Sequence, residues 1–110
     1  MQKLVNYHSN LVHGTVFRFP GSYPHEKYVD LILVEFPDSD RKFGLVVSTG
    51  HKAGLILIKL PKEAESNNFA GIDRQWVIDN WNKWIYETCN VDDVYVIQNY
   101  PIPVIDYSKP

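Results

Sequence analysis

This chain is short of cysteine, of long apolar runs and of clustered glycine, and each shortage removes a class of function. A lone cysteine, Cys89, among 110 residues leaves no internal disulfide and no multi-cysteine metal site, which fits a reducing compartment. The longest apolar runs, Leu31 to Val34 and Gly54 to Ile58, are far below the roughly 20 residues that cross a bilayer. No membrane role is expected. The start of the chain lacks a sustained apolar region before a small-residue cleavage site, so the expected compartment is the cytoplasm. The glycines Gly14, Gly21, Gly44, Gly50, Gly54 and Gly71 are dispersed, which leaves no phosphate-cradling loop. The histidines His8, His13, His25 and His51 are scattered and form no helical i, i+4 pair with a general-base glutamate. Neither a metal nor a cofactor is expected.

What is present is apolar bulk. With 45% hydrophobic and 14% aromatic residues against 22% charged, the chain has enough apolar surface to offset its ordering entropy. Its length suits one domain spanning residues 1 to 110, with an extended, proline-containing tail from about residue 100. The formal charge of −2 conceals an asymmetry: residues 1 to 36 are neutral, residues 37 to 62 carry +3 and residues 63 to 110 carry −5. An acidic C-terminal half is a poor polyanion binder and a plausible steering surface for a basic partner. The alternative is that these acids are simply solvated. The +3 segment is a weak nucleic-acid candidate, because Phe43 is the only aromatic beside its charges, and no nucleic-acid partner is expected.

From Thr15 to Leu60, β-branched and aromatic runs alternate with turn clusters, which predicts four strands: Thr15 to Phe19, Tyr28 to Phe36, Phe43 to Ser48 and Gly54 to Leu60. Short connections between the last three favour an antiparallel meander. Leu31 to Val34 and Leu55 to Ile58 place apolar side chains on both faces of the sheet, so both faces need cover. One face suits a helix. The other requires strand curvature, the aromatic terminal segments or a second subunit. A fifth strand is expected at Val94 to Ile97. The fold class is therefore α+β, an antiparallel sheet of about five strands with one main helix on one face, in the order β-β-β-β-α-β.

All three tryptophans, Trp76, Trp81 and Trp84, lie on the single convincing helical segment, Gly71 to Tyr86, which Asp73 is placed to cap. At helical spacing Val77, Ile78, Trp81, Trp84 and Ile85 share an arc of about 120°, the expected core face. Trp76 lies roughly 140° from the centre of that arc. It packs under the neighbouring loop, or it is a partner-facing anchor of the kind in which Trp is enriched. With it, the exposed-reading acids Asp73, Asp79, Glu87, Asp92 and Asp93 form the candidate partner-binding set.

Nothing in the chain assembles into a catalytic signature. His51 on its turn near Ser48 and Thr49, or His13, could serve a small hydrolase or nuclease only if other groups converged on it in space. Cys89 has only Lys83 nearby to activate it. A homodimeric scaffold is the further alternative, suggested by the doubly apolar strands.

Four segments together resemble a family of bacterial immunity proteins from polymorphic-toxin and contact-dependent inhibition systems, immunity protein 45. They are Leu11-Val-His-Gly-Thr-Val-Phe-Arg-Phe-Pro-Gly-Ser-Tyr-Pro24, Val29-Asp-Leu-Ile-Leu-Val-Glu-Phe36, Ser48-Thr-Gly-His-Lys-Ala-Gly-Leu55 and Trp76-Val-Ile-Asp-Asn-Trp-Asn-Lys-Trp-Ile-Tyr86. The likeness covers about residues 4 to 97 and rests on joint occurrence and order. It implies a cytosolic, non-enzymatic protein that binds a cognate toxin domain, often a nuclease, and blocks its active site or substrate approach. A basic toxin domain would suit the acidic half of the chain.

Overall fold

The alternating runs become strands as their periodicity dictates. The structure, a computed structural model, describes residues 1–21, 27–37, 39–100 and 108. Its strands are β1 (Gln2–Lys3), β2 (Val16–Pro20), β3 (Tyr28–Glu35), β4 (Phe43–Val47), β5 (Ile56–Lys59) and β6 (Tyr95–Ile97). They form one antiparallel sheet in the order β1-β6-β2-β3-β4-β5. The meander of β3, β4 and β5 is the expected one; β2 extends it by pairing with β3, and β6 returns after the helix. The sixth strand, β1, was not anticipated. Two residues are too few to display a period of two, and β1 exists because β6 offers it a partner at Gln2↔Val96 and Lys3↔Tyr95. The expected tail from about residue 100 lies outside the described residues, apart from Tyr100 and Ser108.

Directly paired residues of neighbouring strands share a face. Val96, Phe17, Leu31 and Val47 therefore line up across the sheet, with Leu33 and Leu45 beside them. This face carries the core. Trp81, with no exposed surface, sits on it with its ring 6.0 Å from Phe17 and 5.4 Å from Phe19, the latter edge-on. Tyr86 adds a contact to Phe19 at 4.6 Å.

The helix that supplies Trp81 is α1 (Arg74–Asn80), which runs on into a wider π turn over Trp81–Ile85. Asp73 caps it as its type predicts, with Oδ2 accepting from the Trp76 backbone N–H at 3.2 Å. Arg74 ties the helix to the N-terminal 3-10 turn (Leu4–Asn6) by donating from Nη1 to the Val5 carbonyl at 3.1 Å. Gly71 sets the approach to the helix. A Cβ there would meet the Leu11 carbonyl oxygen and the Phe69 ring, so only glycine lets the chain pass Leu11 and pair through Ile72.

The expected apolar stripe divides. Val77, Trp81 and Ile85 are buried, whereas Ile78 and Trp84 are half-buried at the edge of the core. Trp76, expected well away from the stripe, is also half-buried there, with its ring 5.9 Å from that of Trp84. The π turn is the physical reason. Its Tyr86 N–H donates to the Trp81 carbonyl five residues back at 2.9 Å, and the wider turn rotates Trp84 less per residue than an α-helix would. Trp84 therefore comes round over Trp76.

The second face holds Val16, Ile32 and Val46 in one row and Arg18 opposite Asp30 in another. Asp30 is 1% exposed. Its carboxylate accepts Arg18 Nε at 2.7 Å, Arg18 Nη2 at 2.8 Å and the Tyr100 hydroxyl at 2.7 Å. Because Tyr100 spends its proton on Asp30, the Ser48 hydroxyl 2.6 Å away is the donor to Tyr100. Thr49 accepts from the Asp30 backbone N–H at 3.0 Å. Of the three means of closing this face that the sequence left open, the C-terminal aromatic segment contributes at least Tyr100.

Candidate partner-binding surface

Between Asp73 and Asp93 the chain displays carboxylates on a rigid frame. On α1, Asp73 and Asp79 lie three residues before and after Trp76, the spacing of neighbours on one helix surface. Asp79 is steadied by Gln75, whose Nε2 donates to Oδ1 at 2.9 Å, and Asn80 donates to the Trp76 carbonyl at 2.9 Å. Past the π turn, Asn82 organises the loop. Its Nδ2 reaches the carbonyls of Tyr86 and Glu87, both at 3.2 Å, and of Cys89 at 2.6 Å, tying down the loop that follows the helix. Asn90 then caps the 3-10 turn Val91–Asp93 by accepting from the Asp92 N–H at 3.0 Å. Glu87, Asp92 and Asp93 project from these turns and are exposed, as are Asp73 and Asp79.

None of these five carboxylates has a basic partner among the described residues, where the ion pair of Arg18 with Asp30 is the only one. No described basic side chain neutralises their charge. Trp76 and Trp84 supply a half-exposed aromatic patch on the same segment. Cys89 is buried, and burial raises its pKa above the ordinary 9.0, with Asp93 adding to the effect, which holds it as a thiol.

Two arrangements here were not foreseen. The Asn82 clamp carries no sequence signal beyond a polar residue in a helical stretch. The network of Arg18, Asp30, Ser48 and Tyr100 depends on strand register and on a contact spanning 70 residues. Alternation could have placed Arg18 and Asp30 on one face, but not opposite each other.

The residues considered for catalysis do not converge. His13 is committed to structure, with Nδ1 accepting from the Glu35 backbone N–H at 2.9 Å. His51 is exposed on its turn and makes no hydrogen bond or ion pair among the described residues. His25 lies outside the described residues. Among those described, no group of three or more His, Cys, Asp or Glu side chains could hold a metal ion, and no helix is long and apolar enough to cross a membrane.

The chain is an α+β protein that carries exposed acids and a half-exposed tryptophan pair on one segment. A family model, immunity protein 45, matches residues 4–96, and the chain belongs to that family. No curated protein and no solved structure matches it. Members of such a family are typically non-enzymatic inhibitors, and an immunity protein implies a cognate toxin as its partner.

Proposed function

We propose that the chain neutralises its toxin by laying the segment from Asp73 to Asp93 against a basic face of the toxin domain, blocking the active site or the path of substrate to it. The supporting observation is the set of five exposed carboxylates with no basic partner among the described residues, carried on a clamped frame beside Trp76. A nuclease suits this reading, because a site that binds a polyanion presents the positive charge that these acids would meet. The acids steer association, and the aromatic patch supplies desolvated contact area.

The test is to purify the chain with the toxin encoded beside it and to follow association and dissociation as salt is raised. The wild-type complex should form fast and slow markedly with salt. Reversing Asp79, Asp92 and Asp93 to Lys should depress the association rate, and Trp76→Ala should raise the dissociation rate. A complex that forms with unchanged rates in all of these variants rules out this surface. No complex at all, together with toxin-killed cells despite co-expression, rules out the function.

A further inference from the structure

At the opposite end of the sheet from β1, the edge of β5 has no neighbouring strand among the described residues. The chain entering it is apolar and open, with Leu55, Ile56 and Leu57 at 60%, 51% and 41% exposure. The cause is geometric. The helix layer is centred on β2 through Trp81, and β5 lies three strand spacings away, about 14 Å. A helix about 10 Å across does not reach that far. Exposed edges are ordinarily blunted by charge, proline or a bulge. Here the pairing of β4 with β5 is irregular between Leu45 and Val46, and Arg41 Nη1 donates to the Lys59 carbonyl at 3.2 Å, but Leu55, Ile56 and Leu57 stay open.

The charge around this edge is mainly basic, with Asp40 and Glu63 at its margins. Residues 41–62 hold five basic side chains, Arg41, Lys42, Lys52, Lys59 and Lys62, and no acidic one. Lys52 and Lys62 are exposed on either side of the strand, while Lys59 lies half-buried with its ammonium 5.0 Å from the centre of the Phe36 ring.

We propose that the open edge of β5 takes up an extended acidic segment of a partner protein, with apolar and acidic side chains alternating, as a seventh strand of the sheet. Backbone hydrogen bonds to β5 would carry the pairing, Leu55, Ile56 and Leu57 would meet the apolar side chains, and the lysines select for carboxylates. A second copy of this chain is a poor occupant, because it would bring two mainly basic edges together. The inference is independent of the toxin-facing surface, which differs in sign and lies on the helix and its following turns.

The probe is a synthetic peptide alternating valine and glutamate, titrated into the isotope-labelled full chain and followed by amide chemical shifts. Perturbations should centre on Leu55 to Lys59 and weaken with salt. A peptide of the same sequence with every backbone amide N-methylated should not bind, since it has no N–H on either edge with which to pair as a strand. Leu57→Asp, at a side chain already open to water, should weaken binding by about tenfold or more without lowering the melting temperature. The proposal is overturned by equal binding of the N-methylated peptide, which would mean charge attraction alone, or by shifts centred on α1. It is equally overturned if sedimentation shows self-association through these same amides, or if vesicles containing phosphatidylserine bind the chain while the peptide does not.

Discussion

Removing Arg18 should cost more stability than removing the charge of Asp30, although the two form one ion pair. Arg18 and Asp30 face each other across β2 and β3, yet their surroundings differ: the Arg18 side chain is 30% exposed and that of Asp30 only 1%. In Arg18→Met the carboxylate stays buried with the Tyr100 hydroxyl as its remaining side-chain donor, and an uncompensated buried charge of this kind costs about 3 to 5 kcal/mol. In Asp30→Asn the guanidinium can turn towards water and towards the Tyr28 ring, 4.3 Å from its carbon, so the loss is that of charge-assisted hydrogen bonds, about 1.5 to 3 kcal/mol.

Equilibrium unfolding in urea measures both, with the midpoint carrying the change if the slope stays constant. Against a total stability of about 5 to 15 kcal/mol, the Arg18→Met loss is large. The double variant should be more stable than the sum of the single losses implies, with a coupling of about 1.5 kcal/mol or more, because removing both charges leaves no orphan. Equal losses below about 1 kcal/mol would refute the reasoning and place the pair among solvated surface bridges. A larger loss for Asp30→Asn than for Arg18→Met would refute the asymmetry.

Trp81→Ala should destabilise the fold by about 3 to 5 kcal/mol in the same assay, and Trp76→Ala, which forfeits a half-exposed aromatic pair, by about 0.5 to 1.5 kcal/mol. Asn82→Ala should cost about 1 to 3 kcal/mol by leaving the carbonyls of Tyr86, Glu87 and Cys89 without their donor, and faster amide exchange at residues 86–90 should accompany it. Gly71→Ala should cost about 1 to 3 kcal/mol by thermal unfolding, because its Cβ would strike the Leu11 carbonyl, a backbone group with little room to move. Stability should fall as pH rises above about 9 and further above about 10, since burial raises the pKa of both Cys89 and Tyr100. In that range the folded state binds more protons than the unfolded one, so the contribution is complete below the unfolded pKa and disappears as pH passes the folded value. Tyr100→Phe should remove the upper part of the decline in a pH series of melting temperatures.

Strands β2 to β6 were legible because each is a short apolar run set off by turn residues, and the meander of β3 to β5 followed from connections too short for a crossover. The cap at Asp73 was legible for a similar reason, since it needs only one side chain and the next turn of backbone. What could not be read depends on distance along the chain. Strand β1 owes its existence to β6, more than 90 residues later, and Tyr100 reaches Asp30 across 70. The openness of β5 is of the same kind: Leu55 to Ile58 read as a strand in need of cover, and only the position of the helix over β2 shows which part goes without.

The helix displays the limit most sharply, because a pattern that was correctly seen still misplaced a side chain. A constant angle per residue puts Trp84 on the core stripe and Trp76 far from it. One π turn changes the angle after Asn80, and the two rings meet at the boundary between core and solvent. Only Trp81 is wholly buried, so the cluster contributes one core anchor and one paired, half-exposed patch. That patch packs against the core, and Asn80 donates to the Trp76 carbonyl, so the backbone beneath it is tied into the fold. If the toxin docks there as proposed, less side-chain entropy remains to be lost on association than from two freely rotating tryptophans.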